Sequence, residues 1–289
     1  MKEFDLWDPQ NEIVQNVYKG ENYCIWDRNG EGRDCLILFS GNGLFYPNKE
    51  EVFHDIVVKK DRYEYQNLAR SDYLHRFTRI IFVRDIHKQW YVTGINEKCS
   101  DVVTTVALLR TKTDGYHVTT AGNSAGGYAA VLFGVLLRAE RIFTFSGQWD
   151  ITDAKYAPYV ERYKADFNRS RFYDLRTVLQ DREVTAKIYY FWPDENEKDK
   201  YQAGLVKDIP EIRAFEFRSK KHESTVLPFQ IPYLLSMEEA ELDRIYRKYC
   251  GKKIVAWKFL ISSMGLLKGI SEVFHYLQVK IKERRLKGK

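Results

Sequence analysis

A chain of 289 residues, 44% hydrophobic and 15% aromatic, can bury the core of one large domain, which excludes a disordered or low-complexity protein. The net charge of +6 is unevenly placed: residues 252–289 carry ten Lys/Arg against two Glu, while residues 1–251 hold 36 basic and 38 acidic residues. A near-neutral body with a basic tail excludes a nucleic-acid-binding surface spread over the whole chain.

The N-terminus has no basic stretch followed by an apolar run, so a cytoplasmic location is expected. Four scattered cysteines, Cys24, Cys35, Cys99 and Cys250, fit free thiols in a reducing compartment rather than a disulfide framework or zinc site. No metal is expected.

Residues near Asn11 to Trp26 read as strands leading to a turn at Asp27-Arg28-Asn29-Gly30. Short β-type runs follow at Cys35–Phe39, Ile80–Val83, His117–Ala121, Ile142–Phe145, Ile188–Phe191 and Ala214–Phe217. Bounded by turn residues, they read as buried strands. Helical stretches at Asp101–Thr111, Ala125–Leu137 and Lys200–Lys207 fall between them. Alternating strands and helices predict an α/β fold with a mostly parallel central sheet and helices on both faces. Its ligands are expected beyond the carboxyl ends of the strands.

Residues 148–183 break the alternation. The stretch is polar and rich in Tyr and Arg (Tyr156, Tyr159, Arg162, Tyr163, Arg169, Arg171, Tyr173) and reads as a helical lid insertion suited to a sugar or sugar phosphate. An ordinary helical crossover is the alternative. The expected division is a catalytic domain over residues 1–251, lid included, and a basic amphipathic helical extension over 252–289.

Gly122-Asn123-Ser124-Ala125-Gly126-Gly127 lies between a predicted strand and a predicted helix. A G-x-S-x-G turn in that context is a nucleophile elbow: the glycines give room for a tight turn that presents the serine oxygen. A serine needs a base, usually a histidine oriented by a carboxylate. In the chain order of this arrangement both follow the serine. His54, His75, His87 and His117 precede Ser124 and His275 lies in the tail, leaving His222.

Asp194, in the first turn after the fifth strand, is ranked first as the acid. Asp199 is its rival, read rather as the N-cap of a helix from Lys200; Glu195 and Glu197 stay open. Amides of Ala125 and, by position after the first core strand, Asn42 are expected to form the oxyanion hole.

The segments Phe39–Gly43, Phe82–Asp85 with Trp90–Gly94, Gly122–Tyr128 and Phe143–Gln148 resemble the α/β-hydrolase-fold proteins encoded in bacterial capsule and surface-polysaccharide gene clusters. The resemblance spans about Leu36 to His222. It implies acyl transfer in a carbohydrate setting, as an O-acyl- or O-acetyltransferase or an esterase, with acetyl-CoA as the donor in the transferase case. Asp85, Tyr128 and Gln148 lie in these segments and are the positions expected to meet substrate. Asp85 could equally brace a loop, and Trp90 and Tyr91 read as core rings rather than pocket walls. A non-catalytic scaffold of the same fold, in a polysaccharide or secretion assembly, is the competing class.

In the tail, Ile254–Leu267 is too short to span a bilayer. Apolar residues interspersed with cations beyond it suit peripheral contact with an anionic membrane at its inner face. A terminal helix packed on the body or on a second subunit is the alternative, and an anionic polysaccharide a third partner.

Overall fold

The computed structural model describes residues 4–152, 171–181, 184–222 and 225–287. Eight strands form one sheet: β1 (Tyr23–Asp27), β2 (Asp34–Phe39), β3 (Phe77–Val83), β4 (His117–Asn123), β5 (Arg141–Phe145), β6 (Lys187–Pro193), β7 (Ile212–Phe217) and β8 (Lys253–Ile254). Their spatial order is β1-β3-β2-β4-β5-β6-β7-β8. Among the described residues of this sheet, only the β1–β3 pair is antiparallel. Parallel strands covered on both faces read as continuous apolar runs, which is why those in β2, β3 and β6 were legible, whereas β4, β5 and β7 interrupt theirs with Thr119, Thr120, Thr144 and Glu216.

The two faces separate by alternation. Cys35, Ile37 and Phe39 of β2 enter one core layer with α3 (Ala125–Leu137) and α2 (Val102–Thr113). Leu36 and Leu38 enter the other, with α6 (Gln230–Ser236) and α7 (Glu239–Tyr249). Helix α3 is buried all round from Ala125 to Leu136, so it runs through the core rather than over it. This sheet order, with the Ser124 turn between β4 and α3, is the α/β-hydrolase fold.

Two expectations need correction. The segment expected as strands from Asn11 contains α1 (Glu12–Lys19); the Asn11 side chain accepts from the Val14 amide and starts the helix, so only Tyr23–Asp27 is extended. The boundary at residue 252 falls inside the sheet: β8 pairs with β7, and Phe259 of α8 (Ala256–Met264) is fully buried with its ring 5.2 Å from that of Phe217. What extends past the body is α9 (Leu266–Lys287). Of the expected lid, residues 153–170, with Tyr156, Tyr159, Arg162, Tyr163 and Arg169, lie outside the described residues. At its ends Asp150 bridges Asp174, and Tyr173 and α4 (Leu175–Gln180) join the core. Among the described residues, no helix is long and apolar enough to cross a membrane.

Candidate active site

Ser124 sits between β4 and α3 at φ 54°, ψ −121°, a conformation that L-residues rarely hold outside functional turns. Its amide donates to the Phe145 carbonyl at 2.8 Å, and its carbonyl accepts from the Tyr128 amide at 3.0 Å. The flanking glycines are required by contact. A Cβ on Gly122 would lie 2.1 Å from the Gly126 oxygen, and one on Gly126 would lie 2.2 Å from the Phe39 oxygen.

His222, in the loop after β7, places Nε2 2.9 Å from Ser124 Oγ. Its Nδ1 lies 2.8 and 2.9 Å from the two carboxylate oxygens of Asp199. Asp199 belongs to the first turn of α5 (Glu197–Gly204). There the helix N-terminus favours negative charge, and the carboxylate is buried while the His222 side chain stays 33% exposed. Ser146, at φ 49°, donates its hydroxyl to the His222 carbonyl and its amide to the Phe191 carbonyl at 2.7 Å. This support for the histidine loop was missed in the sequence, because a serine after a strand carries no signal of a partner 76 positions away.

Asp194 does not join this relay. Its amide continues the sheet by donating to Phe217 at 2.8 Å, and its buried carboxylate pairs with Lys253 Nζ of β8 at 2.6 Å. Asp199 is not the N-cap: Asn196 is, accepting from the amides of Lys198 and Asp199 at 3.1 and 3.3 Å. The helix therefore begins earlier than its apolar pattern indicates, and its first turn carries Asp199 to His222.

The loop after β2 lies against the elbow; a Cβ on Gly41 would come 2.9 Å from the Asn123 oxygen. Glu64 clamps that loop, accepting from the Gly41 amide at 2.5 Å while its own amide donates to Ser40 Oγ at 3.2 Å. Asn42 opens a 3-10 turn (Asn42–Phe45) and Ala125 opens α3, so both amides stand at helical N-termini without an intrahelical acceptor.

A cavity of about 540 Å³ opens on Ser124 and His222 and is bordered by Trp90, Gln148, Glu195, Lys198 and Lys220. Trp90 Nε1 donates to Gln148 Oε1 at 2.9 Å, so the two form one wall. Tyr91, in contrast, is fully buried and donates its hydroxyl to the Ser40 carbonyl at 2.7 Å. A second cavity of about 530 Å³, bordered by Glu64, Tyr65, Asn123, Phe145 and Thr225, adjoins the elbow.

Two expected substrate positions are corrected. Asp85 is buried and accepts from the amides of His87, Gln89 and Tyr91 at 3.0, 2.5 and 3.0 Å. It braces a loop in which Lys88, Trp90 and Tyr91 all have positive φ. Burial pushes its carboxyl up to about 6 against those amides. Tyr128 is fully buried in α3 and donates to the Phe172 carbonyl, so it packs the core. Among the described residues, no cluster of three or more His, Cys, Asp or Glu is placed to hold a metal.

Fold and site together define an α/β-hydrolase-fold protein with a serine–histidine–aspartate hydrogen-bond relay. No family model matches the chain, and no curated protein matches it in sequence. Among solved structures it is similar to the capsule O-acetyltransferase of Neisseria meningitidis serogroup A, with 12% identity, 90% of each chain covered and a TM-score of 0.46. It is also similar to esterase B of Lactobacillus rhamnosis, with 11% identity, 96% of this chain and 85% of that one covered, and a TM-score of 0.46. MenH of Staphylococcus aureus is a third such structure, with 12% identity, 79% and 97% coverage and a TM-score of 0.41.

Proposed function

We propose that this chain is a serine-dependent acyl-transfer enzyme. The observation that carries the reading is the relay Ser124–His222–Asp199 on a turn held at positive φ. Ser124 Oγ attacks an ester or thioester carbonyl, and its proton passes to His222 Nε2. Asp199 fixes the imidazole and stabilises it when charged. The amides of Asn42 and Ala125 receive the developing oxyanion. His222 returns the proton to the leaving group, then takes one from the incoming hydroxyl that discharges the acyl-enzyme.

The incoming hydroxyl belongs, in this reading, to a bacterial surface polysaccharide or its precursor, with acetyl-CoA as donor; water in its place makes the enzyme an esterase. Two features support a hydroxylated acceptor. The sequence resembles proteins of capsule clusters, and the reactive cavity sets Gln148, Asn196, Lys198 and Lys220 around one indole rather than an apolar tunnel. A non-catalytic scaffold would have no need of a strained serine in register with a histidine held by a buried aspartate.

A fluorophosphonate probe tests the reading. The folded wild type should label and Ser124→Ala should not; an unlabelled wild type sinks it. Acetyl release from acetyl-CoA, with and without capsular oligosaccharide, separates the two branches. Equal rates would argue against transfer to that acceptor.

A further inference from the structure

Among the described residues, helix α9 meets the body along one side. Lys268 Nζ lies 4.6 Å from the ring centroids of both Tyr73 and Tyr233, and Glu272 accepts from the Tyr73 hydroxyl at 2.7 Å. The Tyr276 ring lies 5.4 Å from that of Phe229. The other side is apolar and open. Leu267 is 85% exposed and Phe274 63%, with Ile270, Leu277 and Ile281 also exposed. These five recur at alternating steps of three and four, so they form one stripe about 20 Å long on the helix. An apolar stripe of this length left in water marks an interaction surface.

The charges say which partner fits. Between residues 280 and 287 the helix carries five Lys/Arg and one Glu. Two copies side by side in parallel would bring these cations together. In the antiparallel arrangement they would meet the first half of the helix, whose single acid, Glu272, is already held by Tyr73. A bilayer with anionic headgroups satisfies both features at once: the stripe enters the interface, and the net positive charge of residues 280–287 is attracted to the lipid phosphates and carboxylates.

We infer that α9 docks the protein on an anionic lipid surface, lying in the interface with the Leu267–Ile281 stripe inserted, while the opposite side of the helix stays on the body. Docking here is independent of the acyl-transfer chemistry, since none of the five stripe residues borders the cavity at Ser124.

The test is co-sedimentation of the full chain with phosphatidylcholine–phosphatidylserine vesicles and with phosphatidylcholine alone. The wild type should sediment with the anionic vesicles, stay behind with the neutral ones, and be released as salt rises. Phe274→Ser/Leu277→Ser and, separately, Lys280→Glu/Arg284→Glu should each weaken binding at least about tenfold. Both variants should keep wild-type ester hydrolysis and circular dichroism, which shows that the fold is intact. A wild type that ignores anionic vesicles, or binds neutral ones equally well, overturns the proposal. So does a dimer in sedimentation equilibrium that Phe274→Ser/Leu277→Ser converts to monomer while vesicle binding is absent.

Discussion

Asp199 meets His222 Nδ1 with both carboxylate oxygens, at 2.8 and 2.9 Å, from the first turn of α5. The geometry holds the ring with Nε2 toward Ser124 and assigns the Nδ1 proton to the Asp199 side. Asp199→Asn removes the charge that stabilises the imidazolium and can hold the wrong tautomer, so kcat should fall by about a thousand- to ten-thousand-fold. Asp194→Asn should leave kcat near wild type and lower the melting temperature, since it loses only the pairing with Lys253. Steady-state hydrolysis of a small ester by both variants checks this, and the reverse ranking would return the role to Asp194.

The Ser124 turn and its contact with His222 were legible because each rests on local pattern or chain order. Glycines around Ser124 announce a turn, and only one histidine follows it outside the tail. Which aspartate meets His222 was not legible, because choosing between Asp194 and Asp199 depends on where α5 begins. That is decided by Asn196 three residues before Asp199, and Asn196 scores no better as a cap than Asp199 does. Tyr128 misled for a similar reason: α3 is apolar on all sides, so no periodicity says which way a ring points. The tail boundary failed because a strand of two residues, Lys253–Ile254, has no sequence signature at all.

Ser146 holds the histidine loop by a single side-chain contact, from its hydroxyl to the His222 carbonyl. Ser146→Ala removes a hydrogen bond worth about 1 kcal/mol. The expected outcome is a roughly fivefold to tenfold lower kcat, with KM and the shape of the pH–rate profile unchanged. A changed pH profile would mean that Ser146 takes part in the proton transfers rather than positioning the ring.

Glu64 braces the loop after β2 in the same way. Its carboxylate engages the Gly41 amide at 2.5 Å, one residue before Asn42. Glu64→Gln keeps an acceptor there and should retain most of kcat, while Glu64→Ala frees the loop and should lower kcat about tenfold. Binding of a phosphonate that mimics the tetrahedral intermediate should weaken in parallel with kcat. Equal loss in both variants would instead assign the effect to the charge.

Asp85 gives the fold a pH-dependent term whose sign follows from its burial. Its carboxyl stands at about 6 in the folded protein against 3.8 as an ordinary group. The folded state therefore holds the proton more tightly than the unfolded chain. The stability this confers is complete below about 4 and is lost as pH rises through about 6, a difference of roughly 3 kcal/mol. Asp85→Asn cannot titrate, so its unfolding free energy, subtracted from that of the wild type across pH 4–7, should isolate the slope. The substitution also costs stability at every pH. An asparagine offers one oxygen where Gln89 and Tyr91 donate to Oδ2 and His87 to Oδ1, and its amide would face one of those donors. Loosening that loop moves Trp90, so KM should rise more than kcat falls. A flat difference between the two proteins over this range would show that Asp85 does not carry the raised proton affinity.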